Sequence, residues 1–344
     1  MPNRCIVSKV WVVLSLLGML FFAACEKRET VQNNSSGSRL SVVYIPKNTG
    51  NPYFNEIVAG FEEVCKQQGC EFSTIAPSTA EATSQIPILK EQIQRGVNII
   101  AISPNSPDAL NAVLDDARKA GIVVITVDAD LAGNEAHRDA SVLPTDFSKV
   151  GESQIELLGS QIGYQGEIAI LSATRDAPNQ NAWIAGMKDA LAQPKYSKMK
   201  LVEIAYGDDE PQKSATEAEG LLTKHPNLRG IVSPTSVGLA AAAQALQIAN
   251  KYPSVALTGL STPNQMRKFV QDGVVKAFQL WSPREMGRLA CSLAISIKQG
   301  KVKPGEGVEF ELPEIGKRSF GKNNVVITGP LVTFDQNTIN EYHF

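Results

Sequence analysis

A chain of 344 residues, 43% apolar and 20% charged, has the material for two ordinary domains, each with its own core. Its formal net charge is −2 and Lys and Arg are spread thinly, which excludes the basic stripe that grips a phosphate backbone; no nucleic-acid partner is expected. The three histidines, His137, His225 and His343, stand far apart and no HExxH or paired CxxC spacing occurs, so neither a metal nor another cofactor is expected.

Residues 1–24 read as a secretory signal: Arg4 and Lys9 precede an apolar run from Val10 to Ala24. That run falls short of the ~20 residues of a comfortable membrane span, although a plain membrane anchor is the rival reading. Phe22-Ala23-Ala24-Cys25 then has the form of a bacterial lipobox, with Phe22 where Leu is usual and Cys25 as the acylated residue. Residues 26–39 are polar and aperiodic, so 25–39 is expected to be a lipidated cysteine on a flexible tether. The folded body is thereby expected in the periplasm or on the outer cell surface, held to the membrane through Cys25. Cys5 leaves with the signal. Cys65 and Cys70 flank Gly69 and either form a small disulfide or remain thiols, while Cys291 sits in an apolar helical stretch and is expected to be packed.

From residue 41 short apolar runs alternate with amphipathic segments. Ser41–Pro46 reads as a buried strand, and Phe54, Ile57, Val58, Phe61, Val64 and Cys65 follow at helical spacing. Glu71–Ile75 is a weaker strand; Ile86, Leu89 and Ile93 mark a helix that Gly96 is placed to end. Val97–Ser103 is another buried strand. Ser106-Pro107-Asp108 has the residues of an N-cap and a first helical turn, and Ile122–Val127 closes this series as a strand. A second series carries strands at Glu167–Leu171, Leu201–Ala205, Gly230–Ser233, Ser254–Leu257 and Val274–Leu280. The expected fold class is therefore α/β, two doubly wound parallel-sheet lobes whose strand ends face one cleft. Asp128–Pro144 breaks the periodicity and reads as a crossing between the lobes.

The loop after the first strand, Pro46–Pro52, is neither GxGxxG nor GxxxxGK[ST], and no GxSxG or triad is present. Enzyme chemistry therefore has no constellation to stand on. What lies at the predicted strand ends is polar and planar: Lys47, Asn105, Asp128, Asp130, then Asn179, Gln180 and Asn181, then Ser233, Pro234, Thr235 and Ser236, with Trp281 ending the last strand. Amides and carboxylates pair the hydroxyls of a polyol, and aromatic rings cover its C–H faces. Plainer readings exist for each: Lys47 as a solvated loop lysine, Asp128 as a turn residue, Asn179 as a helix cap, Trp281 as hinge packing. Of the two aromatics opening the first helix, Phe54 belongs to its core face, which leaves Tyr53 as the stacking candidate.

YIPK-N-x-G-N-P-Y-F over 44–54 and VxIIAISPNSPDAL over 97–110, together with the lipobox and tether, resemble the ribose-type, periplasmic-binding-protein-like fold I receptors of sugar importers. VVITVDAD, NQNAWIAGMK, IVSPTSVGLAAAAQAL, TGLSTPNQM and the ending FDQNTINEY resemble the subgroup holding the rhamnose receptor and the autoinducer-two (furanosyl quorum signal) receptor. The likeness covers nearly all of 41–344. It implies a non-enzymatic monomer that binds a small sugar and delivers it to the membrane permease of an ABC importer. A sugar-responsive transcription regulator shares the fold but would need an N-terminal DNA-binding helix-turn-helix where this chain has its signal and tether.

In the autoinducer receptor a lysine, two aspartates, a glutamine, a proline and an alanine hold the ligand. The lysine falls on Lys47, the first aspartate on Asp128, the glutamine on Gln180 and the proline on Pro234. The second aspartate falls on Asn179 and the alanine on Ser236, and both departures argue for rhamnose or a related deoxy-sugar or polyol, with the quorum signal as the alternative. The ribose receptors carry an aspartate after the strand that ends here at Gly259-Leu260-Ser261, and its absence argues against ribose. The resemblance also implies three crossings, near Asp130, Trp281–Ser282 and residue 303. The expected lobes are thus 40–130 with 283–302 and 131–282 with 303–344.

Overall fold

The computed structural model describes residues 39–344; the signal, Cys25 and all but the last residue of the tether lie outside the described residues. Among the described residues no helix is long and apolar enough to cross a membrane.

The first sheet is built from β1 (Ser41–Ile45), β2 (Glu71–Thr74), β3 (Ile99–Ile102), β4 (Val123–Val127) and β5 (Ala140–Leu143). Its helices are α1 (Tyr53–Gln68), α2 (Ile86–Gln94) and α3 (Asn111–Lys119). The central strands are continuous β-branched runs because both faces are covered, as in any parallel sheet. Their pleat divides them: Val42, Tyr44, Ile99 and Ala101 join the core under α1, whereas Val43, Ile45, Ile100 and Ile102 join the core with α2 and α3. Ser106 does accept a bond from the Ala109 N–H at 3.1 Å, but it caps an isolated turn; the regular helix begins five residues later, at Asn111.

The second sheet has the order β7-β6-β8-β9, all parallel, from β6 (Gln165–Ser172), β7 (Lys198–Tyr206), β8 (Leu228–Ser233) and β9 (Ala256–Gly259). Around it lie α4 (Phe147–Ile162), α5 (Pro178–Leu191), α6 (Pro211–Lys224), α7 (Ser236–Ile248) and α8 (Pro263–Gln271). β10 (Ala277–Leu280) reaches this sheet through a bridge between Gln279 and Leu260. The chain then enters α9 (Pro283–Lys298), which packs on α1 and on β3, β4 and β5 of the first sheet. It continues through the hairpin of β11 (Glu309–Leu312) and β12 (Gly316–Ser319) to β13 (Val325–Ile327) and β14 (Val332–Asp335).

Two of the expected boundaries move. Ala140–Leu143 is not part of a crossing: it pairs in parallel with β4, Val142 opposite Val127, and β13 pairs in parallel with β5 beyond it. The first sheet therefore has six strands in the order β13-β5-β4-β3-β1-β2. The polar stretch DLAGNEAHRD hides a short buried strand that follows it. One crossing accordingly lies between Leu143 and Phe147, and the last between Ile327 and Val332, where β14 pairs antiparallel with β10. These two run side by side, the Thr328 N–H donating to the Leu143 carbonyl at 2.9 Å and Gly329 N–H to that of Pro144 at 3.1 Å. The middle crossing passes through Trp281 and Ser282, between β10 and α9.

α9 sits tightly on α1 because two glycines face each other's backbones. A Cβ on Gly60 would come within 2.3 Å of the Arg284 carbonyl oxygen, and one on Gly287 within 2.2 Å of that of Ile57. In the same interface Cys65 Sγ lies 3.4 Å from Cys291 Sγ, both buried. Cys65, Cys70 and Cys291 are all free thiols, so the close pair joins α1 to α9 rather than Cys65 to its neighbour in sequence.

Candidate functional site

The carboxyl ends of both sheets meet around a small cavity lined by residues of both lobes. Lys47 enters it from the loop after β1. That loop is held by side chains beneath it: Gln85 Nε2 donates to the carbonyls of Pro46 (3.0 Å) and Ser103 (2.8 Å), and Asn105 Nδ2 to that of Lys47 (2.9 Å). Asn105, expected among the ligand contacts, is not among the lining residues; its Nδ2 supports the Lys47 carbonyl, while its buried Oδ1 has no partner in the protein. Lys47 is not a solvated lysine; 7% exposed, its Nζ donates to Asn179 Oδ1 at 2.7 Å.

Asp128 follows β4 in the left-handed region, φ 69°, which an aspartate tolerates better than most residues. Its Oδ1 accepts from Tyr53 OH at 2.7 Å and its Oδ2 from Asn179 Nδ2 at 3.1 Å. Tyr53 is thus a hydrogen-bonding partner of Asp128, not a free stacking ring, and Trp281 Nε1 donates to its hydroxyl at 2.7 Å. Burial pushes the Asp128 carboxyl up from its ordinary value against the pull of Lys47 and the Tyr53 bond. Burial likewise lowers the Lys47 ammonium, against the opposing pull of Asp128 and Asp209.

From the other lobe, Pro178 opens α5 and puts Asn179 and Gln180 in its first turn, one step inside the capping position. Gln180 is pinned at both ends, its Nε2 donating to the Pro234 carbonyl at 2.6 Å and its Oε1 accepting from Ser172 Oγ at 3.2 Å. Pro234 and Ser236 line the cavity where β8 turns into α7. Of the residues singled out in the sequence, Lys47, Tyr53, Asp128, Asn179, Gln180, Pro234, Thr235, Ser236 and Trp281 line it, whereas Asn105, Asp130, Asn181 and Ser233 do not.

Among the lining residues that escaped the sequence reading are Asn51, Trp183 and Asp209. Asp209 is the most connected. It lies in the left-handed region after β7, φ 57°, and its carboxylate accepts from Asn51 Nδ2 of the first lobe at 2.9 Å and from Thr235 Oγ1 of the second. Its carbonyl accepts from Asn48 Nδ2 at 3.3 Å. The available signal was the strand-end rule itself, since YGDDE follows the strand Leu201–Ala205; its run of charges instead reads as solvated surface. Phe54, assigned to the core alone, also reaches the cavity, and with Trp183, Leu260, Leu280 and Trp281 adds apolar surface to its lining.

A closed two-lobe cleft lined by both polar partners and apolar side chains is a device for capturing a small molecule, and known proteins of this shape do so. Residues 42–302 match the periplasmic binding protein domain. A sugar ABC transporter protein from Actinomyces odontolyticus is 39% identical, with a TM-score of 0.70 and coverage of 89% of this chain and 98% of that one. An ABC transporter solute binding protein from Clostridium phytofermentas, solved with bound L-rhamnose, is 32% identical with a TM-score of 0.85 and the same coverage. The ribose import binding protein of Bacillus subtilis is 21% identical over 86% of this chain and 95% of its own length. The chain belongs to the periplasmic binding protein family, as a non-enzymatic, sugar-binding solute-binding protein of the ABC transporter kind.

Proposed function

We propose that this protein binds rhamnose or a related deoxy-sugar or polyol between Lys47 and Asp128 of one lobe and Asn179, Gln180, Pro234 and Ser236 of the other. The observation that carries the reading is the lining of the cavity, which mixes amides and carboxylates with apolar side chains. Hydroxyls of one sugar face meet the amides and carboxylates, and the methyl of a deoxy-sugar lies against Phe54, Leu260, Leu280 or a tryptophan. One cation and two carboxylates line the cavity, a balance that suits a neutral ligand and not an anionic one. The likeness to the L-rhamnose complex at 32% identity supports the same ligand class. Asn179 supports it further, because its amide both accepts from Lys47 and donates to Asp128, a double role that an aspartate there could not fill.

On this reading the protein is a monomer, tethered to the membrane through acylated Cys25, that closes on its sugar and presents it to a permease. Titration calorimetry of the purified protein against aldoses, 6-deoxy-aldoses and polyols tests the ligand, and L-rhamnose should give the largest heat. No heat with any of them would remove the proposal. Mass spectrometry of protein from a membrane fraction tests the anchor: the mature chain should begin at Cys25 and carry acyl mass that Cys25→Ala lacks.

A further inference from the structure

Trp183 lies one turn beyond Asn179 on α5, lines the cavity and is 2% exposed. Its ring is fixed by neighbours: Phe147 meets it edge-on at 5.2 Å between centroids, and Trp281 lies at 5.6 Å with a 53° tilt. Yet its indole nitrogen, fully buried, has no hydrogen-bond partner in the protein. A buried indole N–H usually finds one, because leaving it unpaired loses its bond to water without replacement. Packing alone needs an aromatic ring but no N–H. The other cavity tryptophan shows the contrast, since Trp281 spends its N–H on Tyr53 OH at 2.7 Å.

We infer that the Trp183 N–H is a ligand-binding donor, reserved for an oxygen of the bound sugar; this rests on the sugar reading above. The donors around the cavity agree with such a division. Both polar ends of Asn179 and of Gln180 are engaged within the protein. Tyr53 gives its proton to Asp128. Lys47 has one partner for an ammonium with three donors. The donors that line the cavity with capacity left for ligand oxygens are then Lys47, the Ser236 hydroxyl, the second hydrogens of the amides and Trp183, and of these Trp183 is the one whose donor atom is fully buried and without any partner. Trp183 is donor-only, so it selects an acceptor oxygen at its position and penalises a carbon or a methyl there. It is a specificity-determining residue, and the ligand positions that satisfy it are restricted to a ring oxygen or a hydroxyl.

The test pairs a variant with a spectroscopic readout. Trp183→Phe keeps an aromatic ring between Phe147 and Trp281 while removing the N–H together with part of the indole's bulk; calorimetry with L-rhamnose should show affinity falling about tenfold. Monodeoxy analogues of rhamnose should locate the partner: the analogue lacking that hydroxyl should bind parent and variant equally, whereas a general packing defect would weaken every analogue alike. In the parent protein, the indole 15N–1H resonance that Trp183→Phe abolishes should move downfield on titration, while that of Trp281 holds nearer its place. Parent and variant affinities within twofold, or an unmoved Trp183 resonance in a protein that does bind sugar, overturn the inference while leaving the sugar reading intact. A parent that takes up no sugar at all overturns both.

Discussion

Asn179 Nδ2 donates to Asp128 Oδ2 at 3.1 Å, joining the second lobe to the first through a side chain whose Oδ1 simultaneously holds Lys47 at 2.7 Å. An amide is the only side-chain group of this size that can bond an ammonium and a carboxylate at once. The amide dipole thus sits between a buried lysine from one loop and a buried aspartate from another, with Asp209 as a second carboxylate in the same cavity.

Asn179→Asp should break this arrangement by setting two carboxylates side by side. At neutral pH affinity for the sugar should fall by at least about tenfold, since one lysine cannot compensate both charges in a buried site. The sign with pH follows: as pH falls the new carboxyl takes a proton more readily than an isolated one, regains donor ability, and affinity should recover. Calorimetry at pH 7.5 and 5 reads this directly; a loss that is equal at both values would contradict it.

Lys47→Met should cost more than Asn179→Gln. Removing the ammonium takes away the bond to Asn179 and the nearby positive charge that favours the ionised Asp128 carboxyl. A fall of the melting temperature at neutral pH is expected, together with loss of sugar binding. Because burial already raises the Asp128 carboxyl, protonating it removes the unpaired charge, so the deficit relative to the parent should shrink as pH falls toward 4.

Asp209→Ala should act on closure. Its carboxylate is the joint between Asn51 and Thr235, so the variant loses a clasp between lobes without losing the polar set at Lys47 and Asp128. A larger radius of gyration by small-angle scattering in sugar-free solution is expected, with affinity about five- to tenfold weaker. An unchanged scattering profile and affinity would show that the clasp does nothing.

Gly287→Ala tests the packing of α9 on α1, where the added methyl would lie 2.2 Å from the Ile57 carbonyl oxygen. Overpacking against backbone typically costs about 1–3 kcal/mol, so chemical denaturation should show a lower midpoint at an unaltered slope. Sugar affinity, governed by residues elsewhere, should hold once the protein is folded.

Much of this was legible in the residues. The runs that became β1, β3 and β4 are continuously apolar because helices cover both faces, and continuous runs bounded by glycine and proline are hard to misread. Lys47, Asp128, Asn179 and Gln180 were found because the loops after parallel strands must converge. What escaped has physical causes. Ala140–Leu143 is four residues long behind a polar stretch, so its strand character depends on pairing with β4 and β13, one of them nearly two hundred residues away. Asp209 looks like surface charge until a turn with positive φ directs it inward against Asn51 and Thr235. Asn105 sits at a strand end as the rule requires, yet its Nδ2 is turned to the Lys47 carbonyl; where a polar strand-end side chain points is decided by neighbours that the local sequence does not name.

The central claim is that a sugar binds in the cavity lined by Lys47, Asp128, Asn179 and Gln180. A crystal structure of the protein grown with L-rhamnose tests it most directly. The account predicts one sugar in that cavity, with hydroxyl oxygens within hydrogen-bond distance of Lys47 Nζ and Asp128 and its methyl against the apolar side chains of the lining. Density for the sugar outside this cavity, or within it but out of reach of both Lys47 and Asp128, would contradict the account.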